Sequence, residues 1–156
     1  MKIAVVMGSR SDLPVVEKTL EMLKKFGIDY EARVLSAHRT PEEALDFSRN
    51  ADKNGIDLLI AAAGKAAHLP GVLAAVTTLP VIGLPIKSST MDGLDSLLSI
   101  VQMPTGIPVA TVAINGAENA GILAAQILSL KYPELKEKLL AFKAEMRDKI
   151  LSESYV

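Results

Sequence analysis

Apolar residues fall along this chain in short continuous runs. Each run is followed by a stretch in which apolar positions recur every three or four residues. Lys2–Met7 is the first run, ending in Gly8-Ser9-Arg10-Ser11-Asp12. Leu13–Phe26 then places Leu13, Val16, Leu20 and Leu23 on or near one helical face, and Gly27 stands where a left-handed glycine closes a helix. Tyr30–Leu35 predicts a second strand and Pro41–Lys53 a second helix, with Thr40 as N-cap and acids in the first turn. Asp57–Ala62, Pro80–Leu84 and Val109–Ile114 predict three more strands. Val72–Thr77, Leu94–Val101, Asn119–Leu130 and Glu134–Leu151 predict further helices, with a polar loop at Lys87–Gly93 and a Pro/Gly-rich one at Gln102–Pro108.

Strand and helix thus alternate without hairpin signals, which predicts a parallel sheet covered by helices on both faces. Right-handed crossovers leave few topologies, and the order 2-1-3-4-5 is expected: a three-layer, doubly wound α/β fold. No repeat, low-complexity segment or linker interrupts residues 1–156, so one domain is expected. The last helix stands apart. Leu135, Leu139, Phe142, Met146 and Ile150 form one apolar stripe on a charged helix. The earlier helices already cover a five-stranded sheet, so this stripe (133–152) is expected to pack on a neighbouring subunit rather than on its own sheet.

Composition narrows the function. The formal charge is −1, with no basic run, so a nucleic acid polymer is not an expected partner. The absence of cysteine excludes disulfides, thiolate nucleophiles and cysteine-ligated zinc. No apolar stretch reaches the ~18 residues of a membrane span, and the N-terminal apolar run is too short for a signal peptide. A cytoplasmic protein is expected. Hydrophobic residues make up 49% of the chain before its 10 glycines are counted, and about 55% with them, above the usual ~45–50%. A fully buried sheet and subunit interfaces both account for the surplus.

In a parallel sheet every strand-to-helix loop lies on one edge, and ligands bind there near the switch point. Gly8–Asp12, Ser36–Thr40 and Gly64–Gly71 converge at that point, and the chain's two histidines, His38 and His68, fall in two of them. The first loop combines hydroxyls with a helix start, suited to a phosphate or carboxylate, although Ser11 or Asp12 also suits a plain cap. His38 fits proton transfer, and Arg39 fits bidentate phosphate anchoring or a solvated charge. His68, between alanines and Leu69-Pro70, reads equally as a buried structural histidine or a substrate contact. Two histidines with no third ligand do not make a metal site, so no metal is expected. No Walker loop, Gly-x-Gly-x-x-Gly or Gly-x-Ser-x-Gly occurs, which disfavours ATP, dinucleotides and serine hydrolysis.

Several segments now stand in a fixed order: Met7-Gly8-Ser9-Arg10-Ser11-Asp12, Ser36-Ala37-His38-Arg39-Thr40-Pro41, Ala66-Ala67-His68-Leu69-Pro70-Gly71, Gly93-Leu94-Asp95-Ser96-Leu97 and Ser99-Ile100-Val101-Gln102-Met103-Pro104. With Gly106-Ile107-Pro108-Val109 they closely resemble the class I N5-carboxyaminoimidazole ribonucleotide mutases of de novo purine biosynthesis, from about Lys2 to Tyr132. The resemblance implies a flavodoxin-like fold in an octamer, with sites near subunit contacts and no cofactor. It implies transfer of a carboxylate from the exocyclic nitrogen to carbon 4 of the imidazole. His38 matches the general acid/base. Ser9, Asp12 and Arg39 match substrate-binding positions, with Gly8, Ser11, Ser36 and Ala37 beside them. Gly64, His68 and Leu69 match the loop lining the imidazole end. Lys65 departs from the glycine usual there, which reads either as an added anion contact or as a solvated side chain. Class II carboxylases, which use free carbon dioxide on aminoimidazole ribonucleotide, resemble the chain less: they lack His-Leu-Pro-Gly and usually carry Lys where Arg39 stands. A non-enzymatic phosphate sensor is the remaining alternative. It is disfavoured because Asp57 begins its strand and so lies at the wrong edge for a receiver's acidic cluster.

Overall fold

A computed structural model describes residues 1–154. Five strands form one parallel sheet in the order β2-β1-β3-β4-β5, with β1 at Lys2–Met7, β2 at Asp29–Val34, β3 at Leu58–Gly64, β4 at Val81–Ile86 and β5 at Ala110–Thr111. The helices are α1 (Leu13–Phe26), α2 (Pro41–Arg49), α3 (Leu69–Ala74), α4 (Leu94–Val101), α5 (Ala117–Leu128) and α6 (Glu134–Ser152). This is the doubly wound, flavodoxin-like order expected from the alternation of elements.

The two faces of the sheet follow from the period-2 alternation of strand side chains. Ile3, Val5, Leu58, Ile60, Ile82 and Leu84 bury one face in a cluster with α1, α5 and the start of α6. Ala4, Val6, Leu59 and Ala61 bury the other with α2, α3 and Ile100 of α4. The central strands β1, β3 and β4 are almost wholly buried, which is why they read as continuous apolar runs.

Boundaries moved where local chemistry outweighed periodicity. β5 keeps only two ladder residues instead of Val109–Ile114. Pro108 cannot donate at its entry, and Asn115, with φ of 55°, turns the chain away while its amide donates to the Pro85 carbonyl. α2 stops at Arg49, and Asn50–Gly55 closes as successive turns ending in Gly55 at φ 75°. α3 begins at Leu69, three residues before Val72, because Pro70 fits a first helical turn.

The apolar stripe of α6 divides. Leu135 and Leu139 are buried in the chain's own core, and Phe142 meets Phe26 edge-to-face with ring centroids 5.7 Å apart. Lys138 donates to the Phe26 carbonyl at 2.6 Å. Met146 and Ile150 remain 46% and 66% exposed. The first half of the helix thus closes its own domain face, and only the second half offers apolar surface outward.

At the lower edge of the sheet, opposite the strand C-termini, Asp57 accepts from the Lys2 amide at 3.0 Å, Lys131 at 2.6 Å and the Tyr132 hydroxyl at 3.0 Å. Burial pushes its carboxyl up, but these donors together outweigh burial and hold it below the ordinary carboxylate range. A carboxylate depressed by folding stabilises above its unfolded pKa of about 3.9, and that contribution is lost as pH falls through the lower folded value. Asp57→Asn therefore lowers the unfolding midpoint near neutrality, and the gap from wild type closes below about pH 4. Thermal unfolding across pH checks this; a gap that persists undiminished in acid refutes it.

Candidate active site

The upper edge of the sheet carries a pocket of ≈ 650 Å³, within the usual range for small-ligand sites. All twelve residues singled out from the sequence line it: Gly8, Ser9, Ser11, Asp12, Ser36, Ala37, His38, Arg39, Gly64, Lys65, His68 and Leu69.

The loop after β1 is built by its own hydroxyls and one carboxylate. Gly8 prolongs the strand by donating to the Ala62 carbonyl at 3.0 Å. Ser9 then caps a 3₁₀ turn at Arg10–Asp12: its Oγ accepts from the Ser11 amide at 3.3 Å, while the Ser9 amide donates to Asp12 Oδ2 at 3.1 Å. Ser9, rather than Ser11 or Asp12, is thus the residue whose side chain caps. The Ser11 hydroxyl donates to Ser9 Oγ at 2.8 Å, setting two hydroxyls side by side. Asp12 is only 8% exposed. Burial pushes its carboxyl up, against the opposing pull of the Ser9 amide, the Ser11 hydroxyl and the Arg39 charge.

The loop after β2 is held internally as well. The Ser36 amide donates to Thr40 Oγ1 at 2.8 Å, and the Thr40 hydroxyl donates to the Ser36 carbonyl at 3.2 Å. Thr40 occupies the N-cap position of α2, but its hydroxyl closes this turn instead of capping the helix. Arg39 donates from Nε to Ser36 Oγ at 3.3 Å and from Nη2 to the Gly8 carbonyl at 2.7 Å. That second bond fastens the β2 loop to the β1 loop.

The loop after β3 brings the second imidazole. His68 immediately precedes α3, and its Nδ1 lies 2.8 Å from His38 Nε2, with the ring planes at 74°. One of the two nitrogens donates and the other accepts. His68 is exposed, which resolves its two readings against a core histidine. Lys65, in the same loop, adopts a left-handed backbone with φ of 56°.

Pattern reading did not single out the loop after β4. Lys87, Ser88 and Ser89 form a fourth wall, with Ala63, Ala66 and Ile86 completing the lining. Ser88 donates to the Asp95 carboxylate at 2.9 Å, and Lys87 pairs with Asp92 at 2.7 Å. The signal was available, since the expected strand order already set a polar Lys-Ser-Ser-Thr run beside the β3 loop on the same edge. Among the described residues, no group of three metal-ligating side chains occurs, and no helix is long and apolar enough to cross a membrane.

A flavodoxin-like sheet and a switch-point pocket that sets two hydroxyls and an arginine beside two touching imidazoles define a class: a doubly wound α/β enzyme with a histidine-bearing site at the loop edge of its sheet. The family model described as AIR carboxylase matches residues 2–149, and the chain belongs to that family. It is 56% identical over 153 residues to a Thermotoga maritima protein named N5-carboxyaminoimidazole ribonucleotide mutase, covering 98% of this chain and 90% of the relative. A Pyrococcus abyssi protein of the same name is 60% identical over 146 residues, covering 94% of this chain and 84% of the relative. The crystal structure of Treponema denticola PurE superposes with a TM-score of 0.87 at 32% identity, covering 97% of this chain and 95% of that one.

Proposed function

We infer that this chain is an N5-carboxyaminoimidazole ribonucleotide mutase, an isomerase of de novo purine biosynthesis that forms 4-carboxy-5-aminoimidazole ribonucleotide. The carrying observation is the contact between His38 and His68, made across two loops inside a pocket that Ser9, Ser11 and Arg39 also line. The relatives' shared name supplies the substrate.

The chemistry needs one proton carrier and a closed space. His38, as imidazolium, protonates the exocyclic nitrogen as its bond to the carboxylate carbon breaks, releasing carbon dioxide. Carbon 4 of the ring then attacks that carbon dioxide, and His38 recovers a proton as the C4–H bond breaks. Protons and electrons balance without a cofactor. Ala63 and Ala66 are among the residues lining the pocket and add small apolar side chains to its wall, which suits holding carbon dioxide away from water. Ser9, Ser11 and Arg39 receive the phosphate, and the partly desolvated Asp12 carboxylate is suited to accept from ribose hydroxyls.

Arg39→Ala removes both an anion donor and the tie to the Gly8 carbonyl. Substrate affinity should fall by roughly ten- to a hundredfold, measured by KM or direct titration. An unchanged affinity would place the phosphate elsewhere. The reading as a whole is tested by incubating the protein with N5-carboxyaminoimidazole ribonucleotide, with and without labelled bicarbonate. Retention of the original carboxylate supports the mutase. Obligatory uptake of label identifies a carboxylase working from free carbon dioxide, and no conversion leaves a phosphate sensor.

The reading extends to a cytoplasmic homo-octamer. Self-association is supported by exposed apolar surface: Met146, Ile150 and Leu151 on α6, and Leu94, Leu98 and Val101 along α4.

A further inference from the structure

Three cationic lysine or arginine side chains line the pocket: Arg39, Lys65 and Lys87. Arg39 is held by the Gly8 carbonyl and Ser36 Oγ, and Lys87 is paired with Asp92. Lys65 alone has neither an ion pair nor a side-chain hydrogen bond among the described residues. The pocket contains one carboxylate, Asp12, and it belongs to the β1 loop, where it accepts from Ser9 and Ser11. An ammonium without a partner in a pocket with so little negative charge is available to an anionic ligand.

The backbone adds a second, independent observation. Lys65 holds φ of 56°, a left-handed conformation that glycine adopts freely and a side chain with a Cβ resists. Strain of this kind persists where the surrounding structure enforces it, and it clusters at ligand sites. Here the strained residue is the one that sets a free cation in the pocket wall.

Position along the sheet edge then separates two groups of side chains suited to anions. Ser9, Ser11 and Arg39 belong to the loops after β2 and β1, on one side of the switch point. Lys65 follows β3, on the side facing β4. A ligand reaching from one group to the other carries negative charge at both ends.

We propose that Lys65 is a specificity-determining residue that holds the substrate's carboxylate and so selects carboxylated imidazole ribonucleotides over the decarboxylated one. The proposal rests on the mutase reading and assigns this lysine a role within it. A cation on that carboxylate stabilises the bound ground state and the carboxylated product alike, but not neutral carbon dioxide. Lys65 therefore contributes ground-state binding rather than rate.

The test measures binding of 4-carboxy-5-aminoimidazole ribonucleotide and of aminoimidazole ribonucleotide to wild type, Lys65→Gln, Lys65→Arg and Lys65→Gly. In Lys65→Gln, affinity for the carboxylated nucleotide should fall by about three- to tenfold while that for the decarboxylated one changes by less than about twofold. KM for N5-carboxyaminoimidazole ribonucleotide should rise with that loss, and kcat should not fall. Lys65→Arg should restore the discrimination. Lys65→Gly should share the binding defect yet unfold at a higher temperature, which separates charge from backbone strain. Equal losses for both nucleotides, or no loss for either, overturn the proposal while leaving the mutase intact. Wild type that converts no N5-carboxyaminoimidazole ribonucleotide overturns the mutase reading, and the proposal with it.

Discussion

His38→Asn leaves a folded protein that binds substrate and scarcely turns it over. Asparagine keeps a planar polar group near the ring's position, but its amide carries no proton in an exchangeable acid/base equilibrium near neutrality. His38 is exposed at the lip of the pocket, and its own loop is held by Ser36 and Thr40 rather than by the imidazole. The unfolding midpoint should therefore stay near that of wild type. Loss of a general acid/base lowers kcat by roughly 10²–10⁴-fold, and here one group serves two proton transfers, so the upper part of that range is expected. Steady-state rates in both directions, paired with direct binding of the nucleotide, check it. Near-normal rates would transfer the acid/base role away from His38.

The largest effect on stability is expected at a glycine remote from the chemistry. Gly83 lies in β4 under α4, and a Cβ there would collide with Ile100 Cγ2 and come within 2.9 Å of Val109 Cγ1. Ile100 is fully buried and β-branched, so its Cγ2 cannot swing aside. Gly83→Ala must lift α4 or bend β4. Overpacking of this kind costs about 1–3 kcal/mol, or a fall of roughly 2–12 °C in the midpoint for a chain of this size. The damage should also reach turnover, because α4 carries Asp95, the acceptor for Ser88 in the pocket's fourth wall. An unchanged midpoint would mean that α4 rises from the sheet at no cost.

Much of this architecture was legible without coordinates, for reasons that particular residues show. A buried parallel strand leaves an unbroken apolar run, so β1, β3 and β4 stood out. Strand order followed from connection rules, and with it the shared edge that gathers the loops of His38 and His68. Less visible were features set by hydrogen-bond competition. Thr40 has the sequence signature of a cap, yet the Ser36 backbone claims its hydroxyl. Ser9 does the capping that Ser11 or Asp12 was equally suited to do. The last helix shows one stripe in sequence, but Phe26 and the Phe26 carbonyl claim only its first half, through Phe142 and Lys138. Lys65 could be noticed as a lysine, whereas its left-handed backbone and its lack of a partner among the described residues exist only in three dimensions.

The imidazole pair carries a consequence for stoichiometry. A nitrogen-to-nitrogen separation of 2.8 Å accommodates a single hydrogen between the rings, so one of the two facing nitrogens donates and the other keeps its lone pair. The proposed rearrangement releases one proton from carbon and consumes one at nitrogen. With that hydrogen retained at Nε2, the equivalent that His38 lends to nitrogen and recovers from carbon is carried on its other ring nitrogen, Nδ1, and the proposed cycle closes with the imidazole pair in its starting state.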